Sequence, residues 1–274
     1  MERPAPDSPA VRHDLTDLDD AYSNAAHIPD GPGYPARWAA RAAAFRAEHP
    51  PVELRYGDGA RQVIDLFLPQ GAPQGVMVFF HGGYWLAFGP RDWSHLAAGA
   101  LAQGWAVAVP GYTLAPAARI TGIVAEAAQA TARVAAEVPG PVVLAGHSAG
   151  GHLVARLGCA DMAAAMPGVG GRLRRIMPIS PLADLRPLLR TSMNADLRLD
   201  AAEAAAQSPA LCPAPEARVQ IWVGADERPA FLDQARLLSE AWVAPLHLAP
   251  ARHHFDVIDP LAEPDSRMVQ ILLG

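Results

Sequence analysis

The strongest constraint on how this chain can fold is a repeated alternation. Short apolar runs of strand length are separated by longer stretches in which apolar residues recur every three or four positions. Segments 63–68, 76–80, 105–109, 142–145, 176–179, 219–223 and 246–249 read as strands. Between them Ile120, Ile123, Val124, Ala127, Val134 and Val138 fall on one helical stripe, and Phe231, Ala235, Leu238 and Trp242 on another. That order is the signature of an α/β fold, a mostly parallel, twisted sheet flanked by helices. Pro139-Gly140-Pro141 stops the first helix just ahead of segment 142–145. With 274 residues, 51% of them hydrophobic, a single unit spanning 1–274 with one large core is expected.

Two stretches fall outside the alternation. Residues 1–45 form an N-terminal extension: an acidic, proline-punctuated lead, then an alanine- and arginine-rich helix from about Pro35. Residues 181–210 follow the strand ending at Ser180, on the side where α/β sheets place their ligands. Leu188, Leu189, Met193 and Asn194 of that insertion are expected to form a small lid or pocket wall.

Chemistry enters at Gly146-His147-Ser148-Ala149-Gly150, where the apolar segment 142–145 gives way to small residues. A G-x-S-x-G sequence at a strand-to-helix junction holds a serine on a sharp turn, with glycines that let strand and helix pass closely. Upstream, the strand Val76–Phe80 runs into His81-Gly82-Gly83-Tyr84-Trp85. Acyl transfer through a serine builds negative charge on the carbonyl oxygen, so backbone N–H donors must already face it. The amides of Gly83, Tyr84 and Ala149 are the candidates for that oxyanion hole.

A carboxylate after a late strand and a histidine near the C-terminus would complete the order serine, acid, histidine. Gly224-Ala225-Asp226-Glu227 follows segment 219–223 and offers two adjacent carboxylates, only one of which can face the site. Arg252-His253-His254-Phe255 follows segment 246–249 and offers two imidazoles.

Taken together these residues resemble the α/β-hydrolase kynurenine formamidases, or arylformamidases, and the bacterial esterase- and lipase-like proteins grouped with them. The resemblance covers most of the chain. It includes Tyr22-Ser23-Asn24, the HGGYW form of 81–85, Gly111-Tyr112-Thr113-Leu114-Ala115-Pro116, the serine pentapeptide, Thr191-Ser192-Met193-Asn194 and His254-Phe255. It implies Glu227 as the acid, through Phe231 four and Gln234 seven residues on, with Asp226 as the alternative. It also implies His254 as the base, through the phenylalanine that follows. The implied activity is hydrolysis of an aryl formamide such as N-formylkynurenine through a formyl-serine. A carboxylesterase of broad short-acyl specificity and a non-catalytic ligand-binding relative are the alternatives.

Substrate contacts are expected from Tyr84 and Trp85, and from Ser192, Asn194 or Arg119 for a zwitterionic tail. No HExxH and no zinc-spaced cysteines occur, so no metal and no cofactor are expected, and His81, His147 and His152 read as loop and helix-start residues. A net charge of −6, with arginine the sole basic side chain, argues against nucleic acid as a partner and for a small-molecule substrate. No apolar run approaches the roughly 20 residues that span a bilayer, and 1–20 lacks a signal-peptide pattern, so the expected location is cytoplasmic and the expected membrane contact none. Homodimerisation is left open. Cys159 and Cys212 suggest no disulfide framework.

Overall fold

Five-residue runs with no polar side chain can be shielded from water along their whole length only in the middle of a sheet covered on both faces. In the computed structural model, which describes residues 17–274, β3 (Val76–Phe80), β4 (Ala106–Pro110) and β5 (Val142–His147) are buried at every position. They join β1 (Val52–Arg55), β2 (Val63–Phe67), β6 (Leu173–Ile179), β7 (Arg218–Val219), β8 (Ile221–Gly224) and β9 (Leu246–Ala249) in one sheet ordered β1-β2-β4-β3-β5-β6-β8-β9, with β7 beside β6. The pairs β1–β2 and β2–β4 are antiparallel and the others parallel. The part of the N-terminal extension before residue 17 lies outside the described residues.

Side chains alternate between the two faces. After the helices α1 (Leu18–Ala21), α2 (Tyr34–Glu48) and α3 (Ala98–Ala102) come α4 (Ile120–Glu137) and α5 (Ala149–Gly158), whose Ile123, Val124 and Leu153 form a core with Val76, Val78 and Phe80. Met77 and Phe79 point the other way, toward Trp38, Leu96 and Leu272. The expected stripes of α4 and of the helix Pro229–Trp242 are buried as read.

Three differences from the sequence reading have local causes. The edge strand β1 goes unread because it is largely exposed and carries a mixed pattern. Segment 219–223 is divided at Gln220, whose N–H bonds the Ile176 carbonyl at 2.9 Å. Of the wall residues expected from insertion 181–210, Leu188 is buried in the core and Leu189 packs against it, because the insertion folds into the short helices Asn194–Leu197 and Ala201–Ala206 between single turns. Among the described residues no helix is long and apolar enough to cross a membrane.

Candidate active site

At the C-terminal end of β5 the chain reverses into α5 through Ser148, with φ 57° and ψ −116°. A left-handed φ is costly for a residue with a Cβ, and the surroundings hold it there: Ser148 N–H donates to the Ile179 carbonyl at 2.8 Å. The flanking glycines are required by closeness. A Cβ on Gly146 would lie 2.2 Å from the Gly150 oxygen, and one on Gly150 would lie 1.9 Å from the Phe80 oxygen. The reason inferred for the pentapeptide is thus the reason found.

The glycine loop passes directly over this serine, since a Cβ on Gly82 would sit 3.1 Å from Ser148 Cβ. Gly83, Tyr84 and Trp85 follow with φ of 102°, 52° and 58°, a tight coil closed by hydrogen bonds from Leu86 and Ala87 N–H to the Gly83 carbonyl. Among the described residues the amides of Gly83 and Tyr84 have no backbone acceptor, and the Ala149 amide, in the first turn of α5, has none within its helix.

Of the two carboxylates, Glu227 is buried and Asp226 exposed. Glu227 Oε2 lies 2.6 Å from His254 Nδ1, while Oε1 accepts from the Ser180 hydroxyl at 2.5 Å and from Gly224 N–H at 2.8 Å. The whole carboxylate is therefore satisfied without water, as a buried charge must be. The His254 ring is clamped from two sides. Phe231 packs 4.2 Å from it, and the His147 ring lies at 4.6 Å with Nε2 2.9 Å from the His254 carbonyl. Burial, and the nearby His254, hold the His147 imidazole well below its ordinary pKa, so it stays neutral. Facing a carbonyl, its Nε2 must carry the proton. His253 is turned away, 3.0 Å from the Tyr34 hydroxyl.

Ser148 and His254 both line a cavity of about 530 Å³, together with Gly82, Gly83 and Tyr84. Trp38, Phe88, Trp93 and Phe255 give it an aromatic wall. The N-terminal segment and the insertion close the remaining side through Tyr22, Asn24 and Met193. No hydrogen bond joins the Ser148 and His254 side chains among the described residues; such contacts are commonly long in free enzymes and tighten around substrate. The arrangement can present a nucleophilic hydroxyl, a proton acceptor held by a carboxylate, and main-chain donors to one carbonyl group.

A family model described as the alpha/beta hydrolase fold matches residues 77–240. The chain belongs to the alpha/beta hydrolase fold family. This hydrolase is 26% identical to a kynurenine formamidase of Salmo salar over 238 residues, 81% of this chain and 80% of that protein. It is 24% identical to the Danio rerio kynurenine formamidase over similar shares. Among solved structures, a protein from Silicibacter sp. TM1040 provisionally named a thioesterase shares 52% identity and a TM-score of 0.91, over 94% of this chain and 99% of that one. The esterase of Pyrobaculum calidifontis shares the fold, with a TM-score of 0.65 at 18% identity over 87% and 90%.

Several expected substrate contacts need correction. Trp85 of this hydrolase does not line the cavity: it is fully buried, edge-on to His152 at 5.0 Å, because its positive φ turns the side chain into the core. Asn194 is likewise not a cavity residue. Its Oδ1 accepts from Leu199 N–H at 2.8 Å and its Nδ2 donates to the Leu199 carbonyl, which closes the turn after Asn194–Leu197. Arg119 is held by Asp200 and Glu203. Tyr84 does line the cavity, its hydroxyl donating to the Tyr22 carbonyl at 2.6 Å. Ser192 also lines it, but its hydroxyl and N–H both donate to Asp19.

Sequence reasoning missed Ser180, His147 as a clamp, and Asp19. Ser180 sits directly after β6 with φ 48°, and its place at a strand's C-terminal end was the available signal. Gln234, used only as a spacing marker, proves to be a buried staple: Oε1 accepts from Ala183 and Asp184 N–H, and Nε2 donates to the Tyr22 hydroxyl.

Proposed function

We propose that this hydrolase cleaves an aryl formamide through a covalent formyl-serine, with Ser148 as nucleophile, His254 as general base and acid, and Glu227 orienting the imidazole. One observation carries the reading: the buried 2.6 Å contact between Glu227 and His254 Nδ1, on the wall of the cavity that Ser148 also lines. Such a contact fixes the tautomer, leaving Nε2 to take the Ser148 proton as Oγ attacks the formyl carbon. The oxyanion forms facing the amides of Gly83, Tyr84 and Ala149. Collapse breaks the C–N bond while His254 returns the proton to the departing amine. Water then attacks the formyl-serine, giving its proton to His254 and releasing formate with the free serine.

The cavity volume of about 530 Å³ and its aromatic wall suit a small aryl group. The two fish formamidases support the formamide substrate. The second reading is an esterase of short acyl groups, favoured by the solved esterase neighbours and by the provisional thioesterase name of the 52% identical protein. Both use the same residues, with an alkoxide or thiolate leaving in place of the amine. The comparison that separates them is kcat/KM on a formanilide against p-nitrophenyl acetate and butyrate. Formamide turnover matching or exceeding that of butyrate is expected, and much faster butyrate turnover would transfer the assignment to the esterase. Fluorophosphonate labelling that is lost in Ser148→Ala is expected under either. A folded protein that never labels would be a non-catalytic relative. No metal or cofactor is part of the scheme, and the setting proposed for it is the cytoplasm.

A further inference from the structure

The chain has two cysteines, and nothing in their spacing pairs them. The fold brings them together. Cys159 directly follows α5, the helix that begins beside Ser148, and is buried. Cys212 directly follows the single turn Pro209–Leu211 that ends the insertion, and it stays partly open to solvent between exposed Leu211 and Pro213. These two segments pack on each other. Pro215 lies so close that a Cβ on Gly158 would sit 3.3 Å from its Cβ, Arg156 Nε donates to Gln207 Oε1 at 3.2 Å, and Ala155, Cys159 and Ala210 share one apolar cluster that Cys212 packs against. Across this seam the two thiols are within hydrogen-bonding contact.

A guanidinium completes the cluster. The Arg156 side chain is only 4% exposed and is gripped by the Asp161 carboxylate at 3.0 and 2.5 Å, so its charge is fixed beside both sulfurs. While protonated, the thiols of Cys159 and Cys212 donate to the Ala155 and Ser208 carbonyls at 3.6 and 3.7 Å. Once Cys212 ionises, the Cys159 S–H can turn to its sulfur. That hydrogen bond first, with the Arg156 charge, holds the Cys212 thiol below its ordinary range despite partial burial, while the same bond and burial push Cys159 up. The pair is thus divided into a reachable thiolate and a sheltered thiol. A cavity of about 440 Å³ opens at Cys159, lined also by Met166, Val169 and Pro215, and among the described residues it has no wall residue in common with the cavity of Ser148.

We infer that Cys159 and Cys212 form a redox modification site, a reactive thiol and its resolving partner, which a small hydroperoxide converts to a disulfide. The Cys212 thiolate attacks a peroxide oxygen, so that an S–O bond forms, the O–O bond breaks and hydroxide leaves. The Cys159 sulfur then attacks the sulfenic sulfur of Cys212, forming the S–S bond and breaking S–O, and its proton leaves with the hydroxyl as water. Two thiols are oxidised and one peroxide is reduced to two waters. The bond would tie the end of α5 to the end of the insertion, whose Ser192 and Met193 line the active-site cavity. This site does not depend on the serine-hydrolase reading, since neither cysteine lines that cavity.

The test treats the reduced, native enzyme with a small molar excess of hydrogen peroxide. Free thiols are counted before and after, and peptides are mapped by mass under non-reducing conditions. Loss of both thiols, a Cys159–Cys212 peptide within one chain, and recovery of both thiols with dithiothreitol are expected. The oxidised enzyme should melt about 5 °C or more above the reduced one, because the closed loop restricts the unfolded chain. In Cys159→Ser the resolving thiol is gone, so dimedone should trap a sulfenic acid on Cys212, whereas Cys212→Ser should keep its remaining thiol through the same treatment. Two thiols still titrating in the treated parent, cross-links only between chains, oxidation of Cys159 in the absence of Cys212, or an oxidised form that melts lower would overturn the proposal. The mapping on the parent decides even where a variant fails to fold.

Discussion

At the residue scale, the choice between two neighbouring carboxylates shows what a strand end settles and a sequence cannot. Asp226 and Glu227 are equivalent by composition, but Asp226 is exposed with its N–H bonded to the Arg252 carbonyl, whereas Glu227 turns inward to His254, Ser180 and Gly224. Glu227→Gln replaces an acceptor with a donor opposite His254 Nδ1 and favours the wrong tautomer. We expect kcat to fall by about 10³–10⁴-fold, with Asp226→Asn within about twofold of the parent; steady-state rates of the two variants side by side provide the check, and the reverse pattern would move the acid to Asp226. His147 makes a different case. It holds His254, the proposed base, in place through one hydrogen bond to the His254 carbonyl, which is about 1 kcal/mol of positioning. His147→Phe keeps the ring and loses the donor, so kcat should drop about five- to tenfold with KM little changed. His147→Gln, which can still donate, should recover part of the loss. A purely structural role would instead show as a lowered melting temperature with kcat per folded molecule unchanged.

At the scale of elements, the junction of β5 with α5 is the part most completely legible beforehand, because its glycines answer to a steric requirement that any such turn must meet. Gly150→Ala is expected to cost about 3 kcal/mol or more, at the top of the overpacking range, since the added Cβ would lie 1.9 Å from a strand carbonyl that cannot rotate away. Gly170→Ala, with nothing within 4 Å of the new Cβ, should stay within about 0.5 kcal/mol of the parent. Denaturant midpoints measured on both test the steric account, which fails if the two variants are equally stable. The central strands were legible for the same kind of reason: a run such as Val76–Phe80 has no other favourable location. The insertion at 181–210 was legible only as an interruption. Its single turns impose no sustained period, so nothing in the sequence told Asn194, which closes its own turn, from Ser192, which reaches the cavity. The contact of Asp19 with Ser192 spans 173 positions and joins two irregular segments, for which no local pattern exists. Trp85 misled because its aromatic character fits a pocket equally well, and only the run of positive φ shows which way it points.

At the scale of the whole molecule, the buried histidines make stability depend on pH in a window that ordinary carboxylates leave alone. His81 lies against Tyr112, with ring centroids 4.5 Å apart, and His152 has Nε2 2.7 Å from the Gln207 carbonyl. Both are fully buried, and burial is the main reason each pKa is pushed down from 6.5 to about 4. A neutral histidine inside the fold becomes a protonated one on unfolding at any pH between those values, so the unfolded chain binds more protons there and stability rises with pH. The contribution is fully present above about 6.5 and is lost progressively as pH falls toward 4. By pH 5 the loss is about 2 kcal/mol for each of the two histidines. His147, also held low by burial, acts in the same direction. Paired acids such as Glu203 and Asp161, whose pKa values are lowered, begin to matter only nearer their ordinary range close to 4. The enzyme should therefore lose a large part of its stability between pH 6.5 and 5, before its ion pairs are protonated, and unfolding at pH 5.5 should take up protons. Melting temperatures across pH 5 to 8, with calorimetry in buffers of different ionisation enthalpy, measure both quantities. A melting temperature flat from pH 7 to 5 with no proton uptake would mean that these imidazoles are not the neutral, sequestered groups their surroundings require.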